Sequence, residues 1–175
     1  MQSVRNSELD RFFKRGAALA AVIDTLDSAK TVRIATAFFE LSGYSLLQRA
    51  LQGKSIKLLI GREDDAPEKM RPFLTDFISS LDDLPPQERI PALKRFRESL
   101  AAGSFVLALA GSDTGQGELS PKAIAHHAKL YIADDREVLV TSANCTRMGL
   151  QLAREAGYRV TAKNDIQYFI ERFEH

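Results

Sequence analysis

The sequence predicts an α/β domain, with a mixed, largely parallel β-sheet sandwiched by helices. Three observations lead there. Short apolar runs of strand length alternate with stretches whose apolar residues recur at helical spacing. The run from Thr31 to Phe39 reaches the next run, Ile56 to Ile60, through one short helical crossover, which implies parallel pairing. Two later runs, His127 to Ile132 and Glu137 to Ser142, flank Asp134-Asp135 as a tight strand pair.

The elements follow in order. Ser7-Glu8-Leu9-Asp10 starts a helix whose apolar positions, Leu9, Phe12, Phe13, Leu19, Val22, Ile23 and Leu26, repeat at helical intervals, and Gly16 weakens its middle without breaking it. Thr31 to Phe39 is apolar on both faces and is expected in the centre of the sheet. Ser42 to Leu51 is a helix ending at Gly53, and the strand from Ile56 stops at Gly61. After a charged turn, Arg62 to Pro67, two helices are expected on either side of Pro85-Pro86. Leu74, Phe77, Ile78 and Leu81 would line the first; Ile90, Leu93, Phe96 and Leu100 would line the second. Phe105 to Ala110 is a third strand, Gly111 to Pro121 a mobile loop, Tyr158 to Thr161 a last strand and Asp165 to Phe173 a last helix.

Composition narrows the class. The 175 residues fit one domain spanning 1–175, 45% hydrophobic and 27% charged, as in an ordinary soluble protein. A formal net charge of +1 does not advertise nucleic-acid binding, so an anionic partner must be met by a local cluster. Cys145 is the only cysteine, no apolar run approaches the roughly 20 residues that span a bilayer, and Met1 to Asp10 lacks a signal-peptide layout. A cytoplasmic protein without membrane contact is expected. The last residues, Tyr168 to His175, end in mid-helix without a cap, which suggests a domain excised from a longer protein with motor or DNA-recognition parts.

The chemistry sits between His127 and Glu155. Residues two apart on a strand share a face, so His127 and Lys129 project together, as do Ser142 and Asn144 on the next strand. One imidazole, one ammonium, one hydroxyl and one amide then converge, an inventory suited to a phosphodiester. Lysine, asparagine and serine donate to non-bridging oxygens, and histidine can attack phosphorus. A nucleophilic histidine needs one free nitrogen and an acceptor on the other. Glu155 is the candidate acceptor and Asp134 the candidate brace of the strand turn, although either carboxylate could orient the ring. His126 faces the other side of the strand and lacks a lysine two residues on. Cys145 is expected to be structural, and Arg147 and Arg154 could meet a phosphate backbone or simply be solvated.

The segment from His127 to Glu155 resembles the signature of the phospholipase D superfamily: His-x-Lys, an aspartate after four intervening residues, Gly-Ser-x-Asn, then a glutamate. Thr141 stands where the family has glycine, and no donor is lost by the change. Ile34 to Phe39, Ser42-Gly43 and Lys57 to Gly61 are similar to the opening strands of nuclease-like members attached to helicases and restriction systems. The resemblance implies a phospholipase D-like fold and hydrolysis through a phosphohistidine, with no metal ion and no cofactor. It assigns His127 as nucleophile, Lys129, Ser142 and Asn144 as phosphate ligands, and Glu155 as the histidine's partner. DNA is the expected substrate, cut by an endonuclease domain of a restriction or helicase-linked system. A lipid or small-molecule phosphodiesterase is one alternative, and a catalytically silent DNA-binding or dimerisation module is another. Because in-line displacement needs groups on both sides of phosphorus and the chain has one motif, a homodimer with a shared active site is expected.

Overall fold

The computed structural model describes residues 14–61, 77–109 and 127–174. Within them the elements run α1 (Ala17–Leu26), β1 (Thr31–Thr36), α2 (Leu41–Leu51), β2 (Ser55–Ile60), a 3₁₀ turn (Ser80–Asp83), α3 (Pro86–Ala101), β3 (Phe105–Leu109), β4 (Leu130–Ala133), β5 (Glu137–Thr141), a π-turn (Met148–Leu152), β6 (Gly157–Val160) and α4 (Lys163–Glu174). The strands form one sheet in the order β3-β2-β1-β4-β5-β6. β1, β2 and β3 are parallel neighbours, while β4, β5 and β6 join in antiparallel fashion. This is the expected α/β class, a mixed sheet between helices.

The period of two along each strand divides the core into two layers. Val32, Ile34, Ile56, Leu58, Tyr131 and Leu139 face α1, α2 and α3, and pack against Val22, Leu26, Leu47 and Phe96. Ala35, Leu130, Ile132, Val138 and Val160 face the other way, onto Ile166 and Ile170 of α4. Tyr131, Leu26, Leu47 and Leu58 are 1% exposed or less, and each such side chain contributes about 1.5–3 kcal/mol by leaving water. Phe39, Tyr44, Phe77, Phe96 and Phe105 close the first layer, with ring centroids 5.1–6.5 Å apart.

Three expectations change. Gly16 is not inside a helix: it has φ 79° and stands just before α1, where the left-handed backbone starts the helix rather than weakening it. β1 stops at Thr36, short of Phe39, because the backbone N–H groups of Ala37 and Phe38 turn away from the sheet to Asn144. On α3 the stripe Ile90, Leu93 and Leu100 faces solvent, with Ile90 73% exposed. The helix instead docks through Ala92 and Phe96, one turn apart, with Phe96 held in the aromatic cluster. The expected loop from Gly111 to Pro121, the charged turn from Arg62 and the helix start at Ser7 lie outside the described residues.

Candidate active site

Strand register decides which side chains can meet. Leu130 pairs with both Ala35 and Val140, and Thr141 pairs with Gly157. The C-terminal ends of β1 and β5 therefore share one sheet edge with the N-terminal ends of β4 and β6. His127 and Lys129 precede β4, Ser142 and Asn144 follow β5, and Glu155 precedes β6, so all five lie along that edge.

Lys129 is 8% exposed, and a buried ammonium requires partners. Its Nζ lies 2.8 Å from Nδ1 and 3.1 Å from Nε2 of His127, and donates to the His127 carbonyl at 2.9 Å. The expected His-Lys pair is thus in contact, with the cation on the nitrogen-bearing edge of an exposed ring. An ammonium has only hydrogens to offer, so the nitrogen it bonds must carry the lone pair.

Asn144 is held by its oxygen. Oδ1 accepts from the backbone N–H of Ala37 at 3.2 Å and of Phe38 at 3.1 Å, and lies 3.2 Å from the Thr36 hydroxyl. Backbone N–H groups can be satisfied only by the oxygen end of the amide, which fixes the flip. Among the described residues nothing accepts from the amide N–H₂, which leaves two donors for a ligand.

Ser142 and Glu155 meet each other. The Ser142 hydroxyl donates to the Glu155 carboxylate and accepts from the Ala156 N–H at 3.0 Å. Glu155, the expected partner of His127, has no hydrogen bond to that ring among the described residues. With its proton directed at Glu155, the Ser142 hydroxyl is not a donor to phosphate in this arrangement. Lys129 and Asn144 are the groups on this edge that carry N–H donors.

Asp134 belongs to the far end of the sheet. Five residues at about 3.3 Å each separate it from Lys129, roughly 16 Å along β4. It sits in the β4–β5 turn at φ 51°, and its Oδ1 accepts from the N–H groups of Lys30 at 2.9 Å and Thr31 at 2.8 Å. Partial burial would raise its carboxyl, but those two N–H donors and Arg136 outweigh it and hold the carboxyl below its ordinary value. Its place is in the turn, where it ties β4 to the start of β1, and not beside His127.

Cys145 and Tyr131 are structural. Burial, and secondarily the Glu40 carboxylate, push the Cys145 thiol far above its ordinary value, so it stays protonated. Burial likewise raises Tyr131, with smaller effects from Cys145 and Glu155, and its hydroxyl bonds the Ala143 carbonyl at 3.3 Å. Arg147 donates to the Asp83 carbonyl, Arg154 is exposed, and His126 lies outside the described residues. Among the described residues no group of three or more His, Cys, Asp or Glu could hold a metal ion.

Sequence reasoning missed four residues that hold this edge. Thr36 and Glu40 bond the chain around Asn144: Glu40 accepts from the Arg147 N–H at 3.3 Å, and its own N–H reaches the Cys145 carbonyl at 3.1 Å. Gly43 and Gly149 lie so close to the peptides of Cys145 and Asn144 that a Cβ would meet them at 2.4 Å and 2.7 Å. The only sequence signal was Ser42-Gly43 near the first strand, and the glycine's contact lies over a hundred residues away.

Residues 22–175 match the family model described as cardiolipin synthase, PLD-like domain. The chain belongs to the phospholipase D-like family, whose members typically act on phosphodiesters. Its fold is shared by solved structures of low sequence identity. NucT from Helicobacter pylori is 16% identical, with a TM-score of 0.53 over 90% of this chain and 86% of that one. Nuc from Salmonella typhimurium, a phospholipase D family member, is 17% identical, with a TM-score of 0.55 over 91% and 86%. Phosphatidylserine synthase from Haemophilus influenzae is 19% identical, with a TM-score of 0.54, and matches 87% of this chain over 34% of its own length. No curated protein matches the chain in sequence.

Proposed function

We propose that this chain is a metal-independent phosphodiester hydrolase acting on DNA through a phosphohistidine at His127. The observation that carries the reading is the Lys129 ammonium 2.8 Å from the His127 ring, at the same end of the sheet as an asparagine whose N–H₂ end is left for a ligand. A phosphate entering this edge offers its non-bridging oxygens to Lys129 and Asn144, which draws Lys129 off the ring and frees a nitrogen. That nitrogen attacks phosphorus, the P–O bond to the leaving oxygen breaks, and negative charge is met by the two donors. Water then cleaves the P–N bond and restores the imidazole. The leaving oxygen takes its proton from the opposite side, a role suited to His127 of a second copy in a twofold dimer.

DNA is favoured by the likeness of the first strands to nuclease-like members. The match over 86% of Nuc and of NucT, against 34% of the lipid synthase, also supports the nuclease-like reading. A lipid diester is the second reading, supported by the matched family's description.

The test is nicking of supercoiled DNA, with and without chelator, by the wild type and by His127→Ala, beside a chromogenic diester and a phosphatidyl substrate. Nicking that persists in chelator and disappears in His127→Ala supports the proposal. Turnover of the phosphatidyl substrate alone selects the lipid reading, and no turnover of any diester selects a silent binding module.

A further inference from the structure

We propose that Thr36 is a positioning residue for this site, whose hydroxyl holds Asn144 with its N–H₂ group turned to the phosphate. The inference deepens the phosphodiesterase reading and rests on it.

Thr36 ends β1 and is fully buried. A buried hydroxyl without partners is destabilising, and this one has three. It accepts from the Cys145 N–H at 3.0 Å, and its single proton is shared between the Phe38 carbonyl at 2.7 Å and Asn144 Oδ1 at 3.2 Å. The contacts join two stretches of chain more than a hundred residues apart. Phe38 lies on the β1 side, where its N–H is one of the donors to Asn144, and Cys145 is the residue directly after Asn144. The hydroxyl therefore fixes the turn that supplies the donors and the peptide that carries the acceptor. Glycine contacts confine the same loop by shape and Glu40 bonds it further along, at Cys145 and Arg147, whereas Thr36 bonds both the 36–38 turn and the peptide directly after Asn144. A valine would fill the same volume with none of the three bonds.

The consequence is chemical as well as mechanical. The two ends of an asparagine amide have nearly the same shape, so packing alone cannot select which one meets the substrate. Here the Ala37 and Phe38 N–H groups select the oxygen inward, and Thr36 keeps those groups in place. Without the hydroxyl the 36–38 turn loosens, and the amide can rotate and present its oxygen to a phosphate oxygen.

The test is a double-mutant cycle of Thr36→Val and Asn144→Ala, with Thr36→Ser as the conservative variant. Rates are measured on a chromogenic diester, and inorganic phosphate affinity and thermal unfolding are followed in parallel. Thr36→Val is expected to lower kcat by about tenfold to a hundredfold with little change in KM, as a displacement of an ångström or less does. Thr36→Ser restores most of the rate. In the Asn144→Ala background, adding Thr36→Val changes kcat by less than about twofold, because both act through one group. An equal loss in both backgrounds overturns the proposal, since it marks a general structural role, as does a wild-type kcat in Thr36→Val. If Thr36→Val does not fold, Thr36→Ser decides: a near-wild-type rate supports the hydroxyl, and a loss matching Asn144→Ala overturns it. A wild type that neither cleaves diesters nor binds phosphate removes the phosphodiesterase reading and the inference with it. Ample wild-type turnover with an indifferent Thr36 removes the inference alone.

Discussion

Substituting Gly43 by alanine tests whether α2 is docked directly on the Cys145–Thr146 peptide. A Cβ on Gly43 would lie 2.4 Å from the Cys145 carbonyl oxygen, 2.5 Å from its carbon and 2.6 Å from the Thr146 nitrogen. All three are backbone atoms, so no side chain can swing aside. Contacts below 3.0 Å are essentially absent from folded proteins, so helix and loop must separate by at least 0.6 Å. That movement stretches the Glu40 N–H bond to the Cys145 carbonyl from 3.1 Å and strains the Arg147 N–H bond to Glu40 at 3.3 Å. Overpacking of this kind costs about 1–3 kcal/mol. The backbone setting makes the upper end the expectation, and for a chain of this length Tm should fall by roughly 6–12 °C. Because Asn144 directly precedes Cys145, kcat should fall at least about tenfold even at temperatures where the variant is fully folded. Thermal unfolding by circular dichroism and initial rates on a chromogenic diester read the two effects separately. Gly53→Ala is the control: Gly53 has φ 74° with nothing within 4 Å of a Cβ, so strain of about 1–2 kcal/mol appears without loss of rate. Unchanged stability and rate in Gly43→Ala would refute the close docking.

Four further outcomes are expected. His127→Ala abolishes diester turnover, whereas His126→Ala retains most of it, and equal inactivation by both would show that the nucleophile is misassigned. Glu155→Gln keeps an oxygen for the Ser142 hydroxyl and so preserves Tm, while a large fall in rate would show that its charge acts on the site and full activity would remove it from the chemistry. Asp134 has a lowered carboxyl pKa in the folded chain, so its stabilisation is complete above the ordinary carboxylate value, near 4, and fades as pH falls through the folded value below it. Urea unfolding of the wild type and Asp134→Asn should therefore differ at pH 7 and converge towards pH 2, and parallel curves would contradict that role. Mixed dimers of wild type with His127→Ala should be nearly inactive, and either an active monomer in sedimentation or mixed dimers with half the activity would defeat the shared-site model.

The sequence by itself determined the α/β class, because strand-length and helix-length periodicities are local properties. It also determined the chemical inventory, since His127, Lys129, Ser142, Asn144 and Glu155 fall within one short stretch of chain. Spacing of two along an extended chain was enough to bring His127 and Lys129 into contact. Tertiary structure decided which partner each group takes. Whether Glu155 bonds His127 or Ser142 depends on the β5–β6 register, in which Thr141 faces Gly157 and Ser142 is brought beside the residues that precede β6. The Ile90, Leu93 and Leu100 stripe has the period of a core face, yet it is exposed because the aromatic cluster chose the face bearing Ala92 and Phe96. Nothing local in the sequence announces the contacts of Thr36, Gly43 and Gly149. Their roles arise from contacts across roughly a hundred residues, or from a backbone approach that only the folded chain creates, and short-range patterns record neither.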